Sequence, residues 1–266
     1  MMRRAHQLNC DYIATGHYAN VREENGRYVI SRGKDRHKDQ SYALWGVQQE
    51  HLARTIFPLG SYRKSEIRQF AEDYGLLNVA NKPDSYEICF VPDNDYRRFL
   101  RDKVDDMDER AGKGNIVDQE GNKVGEHEGF PFYTIGQRRG LGIAMGKPVY
   151  VTDIDAENNV ITIGEEKDLL STVCRAKELN MVKYAAVPQD RMEIVGAIRY
   201  NDQGTVGYLT QKSDDEIEVE FASGRSAITP GQAVVCYEGD DVVAGAWIHK
   251  VNVPVGDDLL EAEKTE

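Results

Sequence analysis

The chain has 266 residues, a formal net charge of −12, 40% hydrophobic residues and a mean hydropathy of −0.58. That length accommodates two or three small domains with ordinary cores, and no apolar run approaches the ~20 residues that a membrane span needs. The opening Met1-Met2-Arg3-Arg4-Ala5-His6-Gln7 has no apolar stretch behind its arginines, which argues against a signal peptide. Cys10, Cys89, Cys174 and Cys236 stand singly without a CxxC pair, so cysteine-based metal spacing is absent and no metal site is expected. A chain of this kind is expected to stay reduced in the cytoplasm.

The acidity is uneven. From Asn201 onward there are 14 acidic and 4 basic residues, whereas the first 200 residues carry 31 acidic and 29 basic. Basic residues cluster upstream at Arg32 to Lys38, at Arg97-Arg98-Arg101-Lys103 and at Arg138-Arg139. Such clusters are ordinarily solvated faces, but phosphate contacts need only local positive charge, so RNA is permitted.

In chain order, residues 2–8 read as the end of a helix. Tyr12 to Thr15 reads as a short buried strand that stops at Gly16-His17, the layout of the carboxyl edge of an α/β sheet where ligands bind. Asn25-Gly26 between Val21–Glu24 and Arg27–Ser31 predicts a two-residue hairpin. Asp39–Val47 and Gln49–Ile56 suggest two short helices. Ser61 is placed to cap a helix with Ile67, Phe70, Ala71 and Tyr74 on one face, and Gly75 to end it. Residues 81–85 form a loop by composition, and Asp93 or Asn94 can cap a helix carrying Tyr96, Phe99, Leu100 and Val104.

From about residue 105 the period changes. Hairpins are expected around Glu120-Gly121 and around Asn158-Asn159, with the glycine-rich stretch 133–143 between them. Short β segments follow at 193–200, 206–210, 216–221, 232–237 and 242–249, separated by turn signals, and this regular spacing points to a small antiparallel barrel. The fold class is therefore α/β followed by β.

Several residues could carry chemistry, each with a plainer reading beside it. Cys89 follows a polar loop and could be a nucleophile or a buried core cysteine. The segment Gly136-Gln137-Arg138-Arg139-Gly140-Leu141-Gly142 could bring backbone to a phosphate or be a β-turn. His17 could contact a ligand or be a satisfied strand-end histidine. Asp39 is sufficient as a helix cap. Arg199-Tyr200 pairs a cation with an aromatic, suited to RNA or to an unpartnered barrel rim. Cys174 and Cys236 sit in β alternation and are expected in a core.

Read in order, the blocks Asp11-Tyr12-Ile13-Ala14-Thr15-Gly16-His17-Tyr18-Ala19, Lys38-Asp39-Gln40-Ser41-Tyr42 and Phe57-Pro58-Leu59-Gly60 resemble the tRNA-specific 2-thiouridylases. So do Lys82-Pro83-Asp84-Ser85-Tyr86-Glu87-Ile88-Cys89-Phe90, Tyr133 to Gly142, Ile198-Arg199-Tyr200 and Thr229-Pro230-Gly231-Gln232-Ala233. The resemblance implies part of an adenine-nucleotide α-hydrolase (Rossmann-like) domain over 1–104, a small central β-rich domain over 105–172, a C-terminal antiparallel β-barrel over 173–254 and an acidic tail over 255–266. It implies that ATP, with Mg2+, adenylates the carbonyl oxygen at C2 of the wobble uridine, and that a persulfide on Cys89 delivers sulfur. By the same matching Gly16 contacts ATP, and His17, Lys38, Asp39, Gln40, Arg199, Tyr200 and Gln232 contact tRNA. The implied partners are tRNA and a sulfur donor such as a cysteine desulfurase or a sulfur-relay protein.

Two family elements have no counterpart in this sequence: the phosphate-gripping Ser-Gly-Gly-x-Asp-Ser loop and a second catalytic cysteine in a Cys-Asn context. The chain is accordingly expected to be the C-terminal part of a longer enzyme. The alternatives are a non-catalytic tRNA-binding module and an ATP-independent persulfide carrier.

Overall fold

The computed structural model describes residues 1–82, 91, 93, 95–105 and 111–251. The chain separates into two compact units, one comprising Met1–Lys82, Thr172–Gly224 and Thr229–Glu266, the other Pro83–Ser171 with Arg225–Ile228.

The first unit begins with α1 (Met2–Gln7), β1 (Ile13–Ala14), the hairpin β2 (Ala19–Glu24) and β3 (Arg27–Arg32), α2 (Gln49–Leu52), β4 (Thr55–Ile56), α3 (Lys64–Asp73) and α4 (Leu77–Ala80). β1 and β4 pair in parallel, Ile13 opposite Thr55. The buried strand expected at Tyr12–Thr15 is shorter and more open, with Tyr12 exposed, because this sheet has only two strands among the described residues. The β2–β3 hairpin forms as expected. Asn25 and Gly26 take φ of 52° and 75°, the mirror-image turn that matches the twist of the strands.

The two helices expected between Asp39 and Ile56 are smaller: a 3-10 turn at Ser41–Leu44 and the four-residue α2. Thr55-Ile56 leaves the helix to join β1, and the Thr55 hydroxyl donates to His51 O at 2.7 Å. α3 starts at Lys64 rather than after Ser61, because the Glu66 carboxylate accepts from Arg63 N at 2.6 Å. Gly75, at φ 73°, ends it as expected.

The second unit contains α5 (Tyr96–Lys103), β5 (Gly114–Val117), β6 (Lys123–His127), β7 (Tyr150–Asp155) and β8 (Val160–Gly164). The cap of α5 is Asp95, whose carboxylate accepts from Arg98 N at 2.9 Å; Asp93 instead takes the Arg98 side chain at 2.8 Å. Both expected hairpins form and combine in the order β6-β5-β8-β7, with β5 and β8 parallel. Ile116, Phe132, Leu141, Val151, Ile161 and Ile163 make its core. The glycine-rich stretch runs beside β7: Gly136 N donates to Val151 O, and Val151 N to Gln137 O. Leu141 is buried, whereas Arg138 and Arg139 are exposed.

The remaining strands are β9 (Leu170–Met181), β10 (Met192–Ala197), β11 (Thr205–Gln211), β12 (Glu216–Ser226), β13 (Ala233–Glu238) and β14 (Asp241–Val251). They order as β13-β10-β11-β12-β9-β14 and the pairing of β13 with β14 closes them into a six-stranded antiparallel barrel. β9, absent from the expected strands, is the longest of the six. Cys174 and Cys236 lie in the interior as expected. The hairpin extends this sheet, with Ser31 of β3 opposite Asp241 of β14. Gly245 of β14 admits the Trp45 ring, which would lie 2.6 Å from any Cβ there.

Candidate nucleic-acid interface

The β2–β3 hairpin delivers a loop, residues 33–40, onto the end of the barrel, and local hydrogen bonds shape that loop. The Asp39 carboxylate accepts from Gly33 N at 2.8 Å, from Ser41 N at 3.2 Å and from the Ser41 hydroxyl at 2.8 Å. A side chain at Gly33 would approach Tyr18 O to 2.7 Å, so glycine lets the two backbones meet. Gln40 N donates to Tyr18 O and Tyr18 N donates to the Gln40 amide oxygen, each at 3.0 Å. That clasp sets His17, one residue earlier, beside the loop. The His17 ring shares a 2.8 Å hydrogen bond with the Thr15 hydroxyl and meets Phe57 edge-on.

The barrel supplies the opposite wall. Ser41 Oγ lies 3.2 Å from the Tyr237 hydroxyl of β13, and the Tyr42 hydroxyl donates to Ala233 O, next to Gln232, at 2.8 Å. The Tyr42 ring meets Tyr200 edge-on at 6.4 Å, and Gln40 hydrogen-bonds the Tyr200 side chain. Arg199 and Tyr200 follow the end of β10 and are exposed. The result is a polar cleft of about 260 Å³, lined among others by Arg32, Arg36, His37, Asp39, Tyr200, Asp202 and Tyr237. Asp39 and Tyr200, taken from distant parts of the sequence, thus line one cleft, with Gln40 and Lys38 near the Tyr200 side chain; Arg199 and Gln232 are not among its lining residues.

Electrostatics suit an anion and a base. The Arg32 guanidinium lies 4.1 Å from the centre of the Tyr237 ring, and Arg36 pairs with Asp240 at 2.6 Å. Burial pushes the Tyr42 phenol up to about 12 and raises Tyr200 and Tyr237 as well. All three therefore stay protonated near neutral pH. Tyr42 donates its hydrogen to Ala233 O and Tyr237 to Ser41, which leaves Tyr200 as the phenol facing the cleft. Half-exposed Tyr200 offers a ring on which an unpaired base can stack.

The other expected residues lie elsewhere. Gly16 is exposed just beyond β1, and an added Cβ would meet only Leu59 at an ordinary 3.7 Å. A triphosphate cradle does not emerge at α3, whose first N–H groups are taken by the Glu66 and Asp35 carboxylates. Among the described residues no three carboxylates, histidines or cysteines gather as a metal cage. Cys89 lies outside the described residues. Arg32, Asp202 and Tyr237 were not singled out from sequence. Arg32 opened a visible basic cluster, but nothing local marked Tyr237, whose partner Ser41 is 196 positions away.

Comparison with known proteins agrees with this architecture. Three family models match in order: the tRNA methyl transferase HUP domain over residues 1–93, the tRNA methyl transferase PRC-barrel domain over 98–165 and the aminomethyltransferase beta-barrel domain over 171–248. The N-terminal part is thus Rossmann-like, the middle a PRC-barrel domain and the C-terminal part the closed barrel. The chain is 57% identical to the tRNA-specific 2-thiouridylase MnmA of Salinibacter ruber over 94% of its length and 66% of that protein. It is 53% identical to the protein of that name from Amoebophilus asiaticus over 93% and 66%. For Lachnoclostridium phytofermentans the identity is 45% over 94% and 69%. The chain spans about two thirds of the length of the curated relatives it matches.

Proposed function

This chain belongs to the tRNA-specific 2-thiouridylase family, and from that premise we propose that it binds tRNA and takes part in exchanging the C2 oxygen of the wobble uridine for sulfur. The observation that supports the reading is a polar, aromatic cleft in which Arg32, Arg36 and Asp39 from the hairpin and its loop face Tyr200, Asp202 and Tyr237 of the barrel. Cations grip phosphate, while the exposed Tyr200 ring receives a splayed base. In this reading Lys38, Gln40, Arg199, Tyr200, Gln232 and His17 orient the anticodon region.

Cys89 carries the transferable sulfur as a persulfide, loaded by a sulfur-donor protein in the reducing cytoplasm. Release of that sulfur to the uridine takes two electrons from a second thiol, which leaves Cys89 in a disulfide to be reduced before the next turnover. Adenine nucleotide, when bound, makes the uridine oxygen a leaving group; Gly16 is the residue here that would let it approach. Mg2+ would accompany the nucleotide rather than sit in a protein cage. The functional division proposed is 1–104, 105–172, 173–254 and the tail 255–266, whereas the compact units part at Lys82 and Ser171. No helix among the described residues is long and apolar enough to cross a membrane.

The test is binding of an anticodon stem-loop to the full chain. Arg199→Ala should weaken binding roughly tenfold, about 1–3 kcal/mol, whereas Cys89→Ala should abolish sulfur loading and leave affinity intact. Unchanged affinity in the Arg199 variant, or persistent loading in the Cys89 variant, would overturn the respective assignment.

A further inference from the structure

Resemblance matches Asp39 to a tRNA contact, yet its carboxylate is already occupied. An ionised carboxylate offers about four acceptor sites. Three of those on Asp39 are engaged, by Gly33 N, Ser41 N and the Ser41 hydroxyl. Ser41 is fully buried and passes the connection to the buried Tyr237 hydroxyl on β13. An acidic group in a phosphate-binding cleft also opposes the polyanion it faces. Meanwhile cations flank this strap: Arg32 stacks on Tyr237 and Lys38 lies within the loop that Asp39 closes, while Arg36 in the same loop is held by Asp240.

We propose that Asp39 is a positioning residue: through Gly33, Ser41 and Tyr237 it straps the 33–40 loop to the barrel, so that Arg32 and Lys38 meet the nucleic acid while Asp39 itself does not. The proposal rests on the tRNA-binding reading of the cleft and changes the part Asp39 plays in it. The two roles differ in salt dependence. Each phosphate neutralised by a cation releases counterions and steepens the fall of log K with log[salt], whereas one hydrogen bond from a neutral RNA group to Asp39 leaves that slope alone.

The experiment measures binding of an anticodon stem-loop RNA to the full chain from 50 to 300 mM KCl, for the unaltered protein, Asp39→Ala and Asp39→Asn. With the strap cut in Asp39→Ala, affinity should fall about tenfold and the salt slope should shrink by about one, the loss of a phosphate contact. Asp39→Asn keeps an oxygen for the Gly33 and Ser41 N–H groups, so it should retain the slope and bind at least as tightly. Weaker binding by Asp39→Ala at an unchanged slope would overturn the proposal in favour of direct contact. So would a tenfold loss in Asp39→Asn at an unchanged slope, a result that holds even if the alanine variant fails to fold. Absence of RNA binding by the unaltered chain would remove the tRNA reading and this inference together, whereas normal binding with either contrary slope removes the inference alone.

Discussion

Within the first unit, the barrel and the α3–α4 segment solve the same problem with different completeness. In the barrel, Val234, Val235, Cys236, Val243, Ala244 and Ala246 are wholly buried. In α3 no residue is buried, although Phe70 and Ala71 share a helical face, and beyond it Tyr74, Leu77 and Val79 are more than half exposed. A sheet that closes through β13 and β14 pairs its own edges and encloses Val234, Cys236, Ala244 and Ala246, while Val235 on the other face packs in one cluster with Leu44, Trp45 and Leu52. An amphipathic helix completes nothing alone, because its apolar stripe is buried only when a second layer packs on it. Stability in this unit is therefore concentrated in the barrel and in whatever is fastened to it.

The sharpest way to break this contrast is a matched pair of truncations. Phe221→Ala, inside the barrel, should cost about 3–5 kcal/mol in urea unfolding, whereas Phe70→Ala on α3 should cost less than about 1 kcal/mol. Comparable losses would show that the helix shares the barrel's core.

Next in size is the junction between hairpin and barrel. Arg22 donates twice to Asp241 at 2.8 Å, Ser31 donates at 2.7 Å and Lys183 at 2.9 Å. The Arg22 hydrogen bonds hold the Asp241 carboxyl far below its ordinary value. Its folded value is depressed, so its stabilisation is complete above the unfolded value near ~4 and is lost as pH falls toward the folded one. Asp241→Ala should cost about 2–3 kcal/mol at pH 7 and flatten the decline of stability below pH ~4. Urea midpoints across pH check this, and an unaltered acid limb in the variant would show that Asp241 is not the group responsible.

A smaller effect separates the thiols. Burial pushes Cys174 up to about 12 and raises Cys236 further, while Cys10 is exposed. At pH 8, iodoacetamide should label Cys10 and spare Cys174 and Cys236 until the barrel unfolds, as read by peptide mass. Early labelling of Cys236 would mean that the barrel opens well below its unfolding transition.

The features legible in the sequence are those written within a few adjacent residues. Asn25-Gly26 announced its turn through the need for positive φ, Gly75 announced a helix end, and β alternation announced both central hairpins and most of the barrel. Of the cleft, Arg199-Tyr200 and the basic run ending at Lys38 were compatible with RNA by residue type but equally with a rim or a solvated face; Gln40 and Gln232 entered through resemblance alone. The 3-10 turn at Ser41–Leu44, the Asp95 cap, strand β9 and the exposure of Tyr12 were decided by competition among neighbours that propensity ranks nearly equal.

Turn chemistry and alternation are properties of one stretch of chain, so the sequence by itself determined the hairpins, the strand faces and the interior cysteines. The Arg22–Asp241 junction and the Asp39–Ser41–Tyr237 strap join residues about 200 positions apart, and the barrel pairs β9 with β14 across roughly 60 or more. Only the tertiary structure decided them, because the energy that selects such partners comes from packing and desolvation after the strands have met, and no local pattern encodes it.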